Sequence, residues 1–194
     1  MSKKNRTFAA NFSKIPFMQE KNIPLLDCPV DYLIGDASGK ILNEYGRFPC
    51  KIACGVYAMM VRGTAKATIN ITSVEFRAND LLFLEPGSFL LIHEFSEDAL
   101  VYYVLFSSSF LDKHTFVNSR LGFVPGQVNQ FLVHLDADRG ELVSTLYDVL
   151  LKASNCTPTA LSSEKMVHVY NLFRCSYANL TRKDENAVPV KDRK

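Results

Sequence analysis

Between Ala53 and Ser107 the chain is written as short apolar runs separated by turn residues, the pattern of consecutive strands rather than helices. From Ile52 to Val61 nearly every residue is apolar or small, which in a strand means that both faces are covered. Lys66 to Ile71 alternates instead, with Ala67, Ile69 and Ile71 on one face and Lys66, Thr68 and Asn70 on the other. Leu81–Leu84, Phe89–Phe95 and Leu100–Phe106 supply three further strands, and Tyr32 to Gly35 reads as an edge strand. The turns fall between them, at Val61-Arg62-Gly63-Thr64 and through Asn79-Asp80 to Pro86-Gly87, where proline fixes φ and glycine permits a positive one. Short strands closed by such turns predict a small β-barrel.

After Asp138 the period changes from two to three and four. Leu142, Leu146, Val149, Leu150 and Ala153 form one face of a helix that ends near Asn155, before Pro158. A second helix begins at Ser162 or Ser163, either of which can accept a hydrogen bond from a first-turn amide. Its Met166, Tyr170, Phe173, Tyr177 and Leu180 recur at intervals of four, three, four and three, a two-heptad seam. That seam either packs on the chain's own barrel or pairs with a second copy, and both readings stay open. Ser107-Ser108-Ser109 caps a short helical turn carrying Phe110 and Leu111, and the loop through Gly122, Pro125 and Gly126 closes the strand-rich half. The organisation that follows is an N-terminal arm with edge strands over 1–50, a barrel over 51–136, a helical dimerisation element over 137–182 and a charged tail over 183–194.

Composition narrows the classes. A chain of 194 residues with 47% hydrophobic content supports one sizeable core, and a formal charge of +2 is too balanced to argue for nucleic acid or an acidic membrane. The basic start, Met1 to Arg6, is not followed by an uninterrupted apolar stretch, and no run approaches the ~20 residues of a membrane helix. A cytoplasmic protein is expected. Cysteines 28, 50, 54, 156 and 175 are odd in number without a Cys-x-x-Cys pair, which fits buried thiols. No Gly-x-Ser-x-Gly elbow, Walker loop or His-Glu-x-x-His is present.

With Val61-Arg62-Gly63, the run Asn79 to Gly87, the strand end Val104-Leu105-Phe106-Ser107 and two trailing helices in this order, the chain resembles the N-terminal regulatory domain of AraC-type transcription regulators. The resemblance covers Ile52 to Phe110 and, more loosely, the helices to Leu180. It implies a mainly β fold with C-terminal α, namely a cupin-like (double-stranded β-helix or jelly-roll) barrel followed by two helices that dimerise. It further implies that helix-turn-helix units holding DNA lie outside this chain, with residues 183–194 as the linker to them.

Metal cupins place two His and a Glu in a first motif and a His in a second, so that imidazoles and a carboxylate converge on one divalent ion. Aligning Gly63 and Gly87 with the glycines of those motifs puts Val56 where the Glu stands and Leu90 where the last His stands. No histidine lies between Gly46 and Gly55, and His93, His114, His134 and His168 show no ligand spacing. Neither a metal nor another cofactor is expected, and no enzyme activity; the alternative is a metal-dependent cupin isomerase or dioxygenase.

If Val56 and Leu90 face inward, period two brings Ala58, Met60, Arg62, Ile92 and Glu94 inward too, unless a bulge intervenes, and sends His93 outward. The resemblance assigns Arg62 to effector contact and matches Tyr103 to an aromatic on the last strand. The candidate pocket is then Arg62, Tyr103, Met60, Ile92, Leu90 and Glu94, suited to a ligand with an apolar body and an anionic or hydroxylated end. The competing role for Arg62 is an ion pair with Glu94 or Glu85; Tyr57, Met59 and Tyr102 are expected to pack beneath a helix. The function expected is that of a ligand-sensing, dimerising domain that repositions DNA-binding domains through a small effector.

Overall fold

The computed structural model describes residues 23–45, 49–115, 131–156 and 161–185. The elements run β1 (Leu25–Leu26), β2 (Tyr32–Ser38), α1 (Gly39–Tyr45), β3 (Cys50–Ile52), β4 (Gly55–Arg62), β5 (Thr64–Ile69), β6 (Thr72–Arg77) and β7 (Asp80–Leu84). They continue with β8 (Phe89–Phe95), β9 (Leu100–Phe106), α2 (Ser108–Thr115), β10 (Leu132–His134), α3 (Ala137–Cys156) and α4 (Ser163–Glu185). The strands form two five-stranded sheets, ordered β1-β3-β8-β5-β6 and β10-β7-β4-β9-β2. This is the expected mainly β fold with C-terminal helices. The loop glycines 122 and 126, Pro158 and the last residues of the charged tail lie outside the described residues.

The apolar run from Ile52 is one stretch in sequence and two strands in space. Ile52 ends β3 in the first sheet and Gly55 begins β4 in the second, so the chain crosses between sheets at Ala53-Cys54. Beyond the crossing the expected double coverage is present. Val56, Ala58 and Met60 join the core between the sheets, while Tyr57 and Met59 join a second core on the opposite face. Gly63, at φ 79°, makes the β4–β5 turn, where an added Cβ would meet the Ala99 backbone at 2.6 Å. Asn70, at φ 55°, opens the next turn, so Ile71 leaves the alternating strand and stands 96% exposed at the hairpin tip, not on the face of Ile69.

Three side-chain caps set the helices. Phe110 N donates to Ser107 Oγ (3.1 Å), Arg139 N to Asp136 Oδ1 (2.9 Å) and Lys165 N to Ser162 Oγ (3.4 Å). Ser163, the other candidate for the last cap, reaches Asp31 Oδ2 at 2.6 Å, and Tyr32 donates its hydroxyl to the Leu161 carbonyl. These contacts tie the start of α4 to the start of β2.

Both long helices cover the outer face of the second sheet. Tyr147 and Leu150 of α3 and Met166, Tyr170 and Phe173 of α4 are buried with Tyr57, Met59, Val104, Phe106 and Phe110. The reading of Met166, Tyr170 and Phe173 as a seam for a second copy is therefore corrected: sheet aromatics already fill their face, with Phe173 5.4 Å and Tyr170 6.2 Å from the Tyr57 ring. The side chains of Tyr177 and Leu180 lie outside the described residues. On α3 the expected single face is divided, since Leu150 is buried while Leu142 and Val149 are 71% and 56% exposed.

Candidate ligand-binding site

The space between the sheets is walled by Val56, Ala58 and Met60 from β4, Tyr103 and Leu105 from β9, and Ala65, Ala67 and Ile69 from β5. Leu90 and Ile92 of β8 pack against the same cluster, so Met60, Leu90, Ile92 and Tyr103 all lie on the inner side. Five of the buried residues in this cluster are alanines, at 37, 58, 65, 67 and 99. Small barrels are filled by bulky inward side chains unless they hold a guest, and alanine at these positions withholds that bulk. Leu33, Leu82, Leu90, Ile92, Phe95 and Val101 are directed into the cluster yet remain only half-buried. These six side chains are thus less completely buried than the cluster they pack against.

Two of the six expected pocket residues do not face this space. Met60 lies opposite Val101 and Arg62 opposite Leu100, leaving Val61 as an extra residue in β4. Arg62 thereby shares the outward side of Leu100, is exposed, and donates from Nε to the Asp98 carbonyl at 3.0 Å, with no ion pair to Glu94 or Glu85 among the described residues. In β8, Lys66 lies opposite Glu94 and Ala67 opposite Ile92, with His93 as the extra residue. Glu94 is turned to the exposed outer surface and Phe95 takes the inward position. Each bulge reverses the parity on which the inward reading of Arg62 and Glu94 rested. His93 faces outward as expected, its Nε2 2.8 Å from Thr68 Oγ1.

The polar group that remains among these apolar walls is the Tyr103 phenol. Burial, with smaller contributions from Asp36 and Cys28, raises its pKa far above the usual tyrosine range, so the hydroxyl stays protonated. It can donate or accept one hydrogen bond without carrying charge. Val56 and Leu90, at the two aligned ligand positions, both lie on the inner side, and among the described residues no three His, Cys, Asp or Glu side chains gather to hold a metal.

Beside this space lies a group of thiols that sequence reasoning assigned only to burial. Cys28 and Cys54 are 3% and 0% exposed, with Cys28 Sγ donating to the Val30 carbonyl at 3.1 Å. Burial lifts Cys28 from 9.0 to about 11, and burial reinforced by the charges of Cys28, Asp27 and Cys50 lifts Cys54 to about 12. Such thiols are poor nucleophiles and poor metal ligands near neutral pH.

Fold and site together define a domain of two five-stranded sheets with an apolar core between them and helices packed on one sheet. The chain is similar to apo ToxT from Vibrio cholerae at 14% identity and a TM-score of 0.47, over 87% of this chain and 62% of that one. Unsaturated fatty acid bound wild-type ToxT is similar at 14% identity and a TM-score of 0.42, over 86% and 60%. The Cnp3 cupin domain of Schizosaccharomyces pombe is similar at 14% identity and a TM-score of 0.32, over 52% and 69%. The chain thus spans about three fifths of the length of these ToxT structures. No protein-family model and no curated protein matches it. No helix among the described residues is long and apolar enough to cross a membrane.

Proposed function

We propose that this chain is the ligand-sensing domain of an AraC-type transcription regulator, which takes a small effector into its barrel without a metal and so alters the placement of DNA-binding domains outside this chain. The observation that carries the binding half of this reading is the set of inward apolar side chains, Leu33, Leu82, Leu90, Ile92, Phe95 and Val101, that stay incompletely buried beside alanine-lined walls. The regulatory half rests on the sequence resemblance. Met60, Leu90 and Ile92 contact the effector, and the Tyr103 ring walls the space beside them; Arg62 and Glu94 lie outside it.

Titration of the purified chain with straight-chain carboxylates and with 1-anilinonaphthalene-8-sulfonate, both apolar bodies with one anionic end, tests binding. A guest at a hundredfold excess over its Kd contributes about 2.7 kcal/mol, which raises Tm by about 5 °C or more. A broad panel that leaves Tm unchanged contradicts the reading, and stoichiometric metal in elemental analysis revives the metal-enzyme alternative.

Association with a second copy belongs, in this reading, to α3. Leu142, Val149 and Ala153 recur at intervals of seven and four, with Leu142 and Val149 71% and 56% exposed, whereas Met166, Tyr170 and Phe173 of α4 are packed inside the subunit. An antiparallel pairing across a two-fold axis sets the large, exposed Leu142 against the small Ala153, with Val149 near the axis. The double variant Leu142→Glu, Val149→Glu is expected to sediment as a monomer at concentrations where the native chain is a dimer, with Tm little changed. Equal sedimentation of the two excludes this face.

A further inference from the structure

Gly35 and Tyr103 sit directly opposite one another on β2 and β9, and β2 is the last strand of its sheet. In a strand, side chains stand roughly perpendicular to the sheet, and a tyrosine on an inward position would project into the barrel. Tyr103 does not stand this way. A Cβ built on Gly35 would fall on the Tyr103 hydroxyl and ring, with Cε1 2.9 Å away, so the phenol lies flat across the edge strand in the space that any other residue at position 35 would occupy. Gly35 has no positive φ, so its backbone accepts an L side chain and the need for glycine is one of room alone. The hydroxyl lies over β2 at Gly35, on the side away from Ala58, the other strand partner of Tyr103, where the charges of Asp36 and Cys28 act on it. The ring is 4% exposed and walls the margin between the two sheets.

We infer that Gly35 is a specificity-determining position: by letting Tyr103 lie flat over β2, it keeps the aromatic ring against the wall rather than across the barrel and sets the size of the guest the interior accepts. The inference rests on the binding role proposed above. An alanine at position 35 forces the ring off β2 and toward Ala58 across the barrel, so the displaced phenol takes the place of the guest. Removing the ring instead opens the margin beside β2 and lengthens the accepted guest.

The test is a double-mutant cycle on the full chain, with displacement of 1-anilinonaphthalene-8-sulfonate by a series of straight-chain carboxylates as readout. Gly35→Ala is expected to weaken the best carboxylate by about tenfold or more, the equivalent of about 1.4 kcal/mol. The pair Gly35→Ala, Tyr103→Val is expected to restore it, and Tyr103→Val alone shifts the optimum to longer chains. Native-like affinity in Gly35→Ala overturns the inference, as does a loss that Tyr103→Val fails to rescue. Should Gly35→Ala not fold, Tyr103→Val decides alone: an unchanged chain-length optimum in a folded protein overturns the inference. A native chain that binds neither dye nor carboxylate refutes the binding role itself, which separates the two failures.

Discussion

Replacing Tyr57 with alanine is expected to cost about 3–5 kcal/mol, the range for deleting a large buried aromatic. Tyr57 is 5% exposed and is the junction of the helix-side core: its ring lies 4.6 Å from Phe83, 5.4 Å from Phe173, 5.9 Å from Phe106 and 6.2 Å from Tyr170. Phe83 and Phe106 belong to the second sheet, and Tyr170 and Phe173 to α4, so the deletion opens a cavity at the contact that fixes helix to sheet. Tyr57→Phe keeps all four ring contacts and loses only the hydroxyl, a change on the order of 1 kcal/mol. Urea unfolding monitored by far-UV dichroism measures both. Amide exchange in α4 is expected to quicken in Tyr57→Ala, because the helix loses its anchor before the barrel opens. A loss below about 1 kcal/mol for the alanine variant would mean that the helix does not depend on this junction.

The second large effect is alkaline destabilisation by the buried thiols. Cys28 and Cys54 ionise at about 11 and about 12 in the folded chain against 9.0 ordinarily, with burial the main cause of each. The native state therefore holds protons that the unfolded chain releases, and ΔG of unfolding falls as pH rises. The stability is complete below pH 9.0 and is lost as pH climbs through the folded values, at about 1.4 kcal/mol per pH unit for each thiol. From pH 9 to 11 the two thiols together remove about 3–5 kcal/mol, the lower figure allowing for their mutual repulsion, out of a typical total of 5–15 kcal/mol. Above pH 10 the buried phenols of Tyr57, Tyr103 and Tyr147, all raised by burial, act in the same direction. Denaturant midpoints across pH 8 to 11 report the slope. The variant Cys28→Ala, Cys54→Ala is expected to reduce the limb between pH 9 and 10, before the phenols contribute, to the part due to Cys50, which burial also raises to about 11; an unchanged limb assigns the loss to other groups.

The second sheet was legible from Ile52 onward because an apolar run with no polar face must be covered on both sides, and Val56, Ala58 and Met60 against Tyr57 and Met59 are those two sides. What the run did not disclose is the sheet exchange at Ala53-Cys54, since small apolar residues suit a strand and a crossing equally. The inward side was legible for Met60, Leu90, Ile92 and Tyr103 but not the outward one for Arg62 and Glu94, because strict alternation carries no allowance for an extra residue. A signal was present in β8, where His93-Glu94 are two consecutive polar residues followed by Phe95, a slip in the alternation that marks the bulge. Helix α1, from Gly39, was hidden by its length: seven residues opening on glycine give no periodicity to read. The α4 seam was visible as a seam, but heptad spacing says which face is apolar and not what covers it, and at Met166, Tyr170 and Phe173 the cover is the chain's own aromatic sheet.

All of this turns on the barrel interior being a hollow rather than a packed core, and Ala58→Phe tests that most directly. Ala58 is 7% exposed, faces inward from the middle of β4 and lies opposite both Tyr103 and Leu82. In a packed core the added ring costs about 1–3 kcal/mol in strain. The account predicts a folded variant with near-native Tm in which the dye and every carboxylate bound by the native chain lose at least about tenfold in affinity, about 1.4 kcal/mol. A variant that is strained by the full overpacking penalty, or that binds its guests as the native chain does, contradicts it.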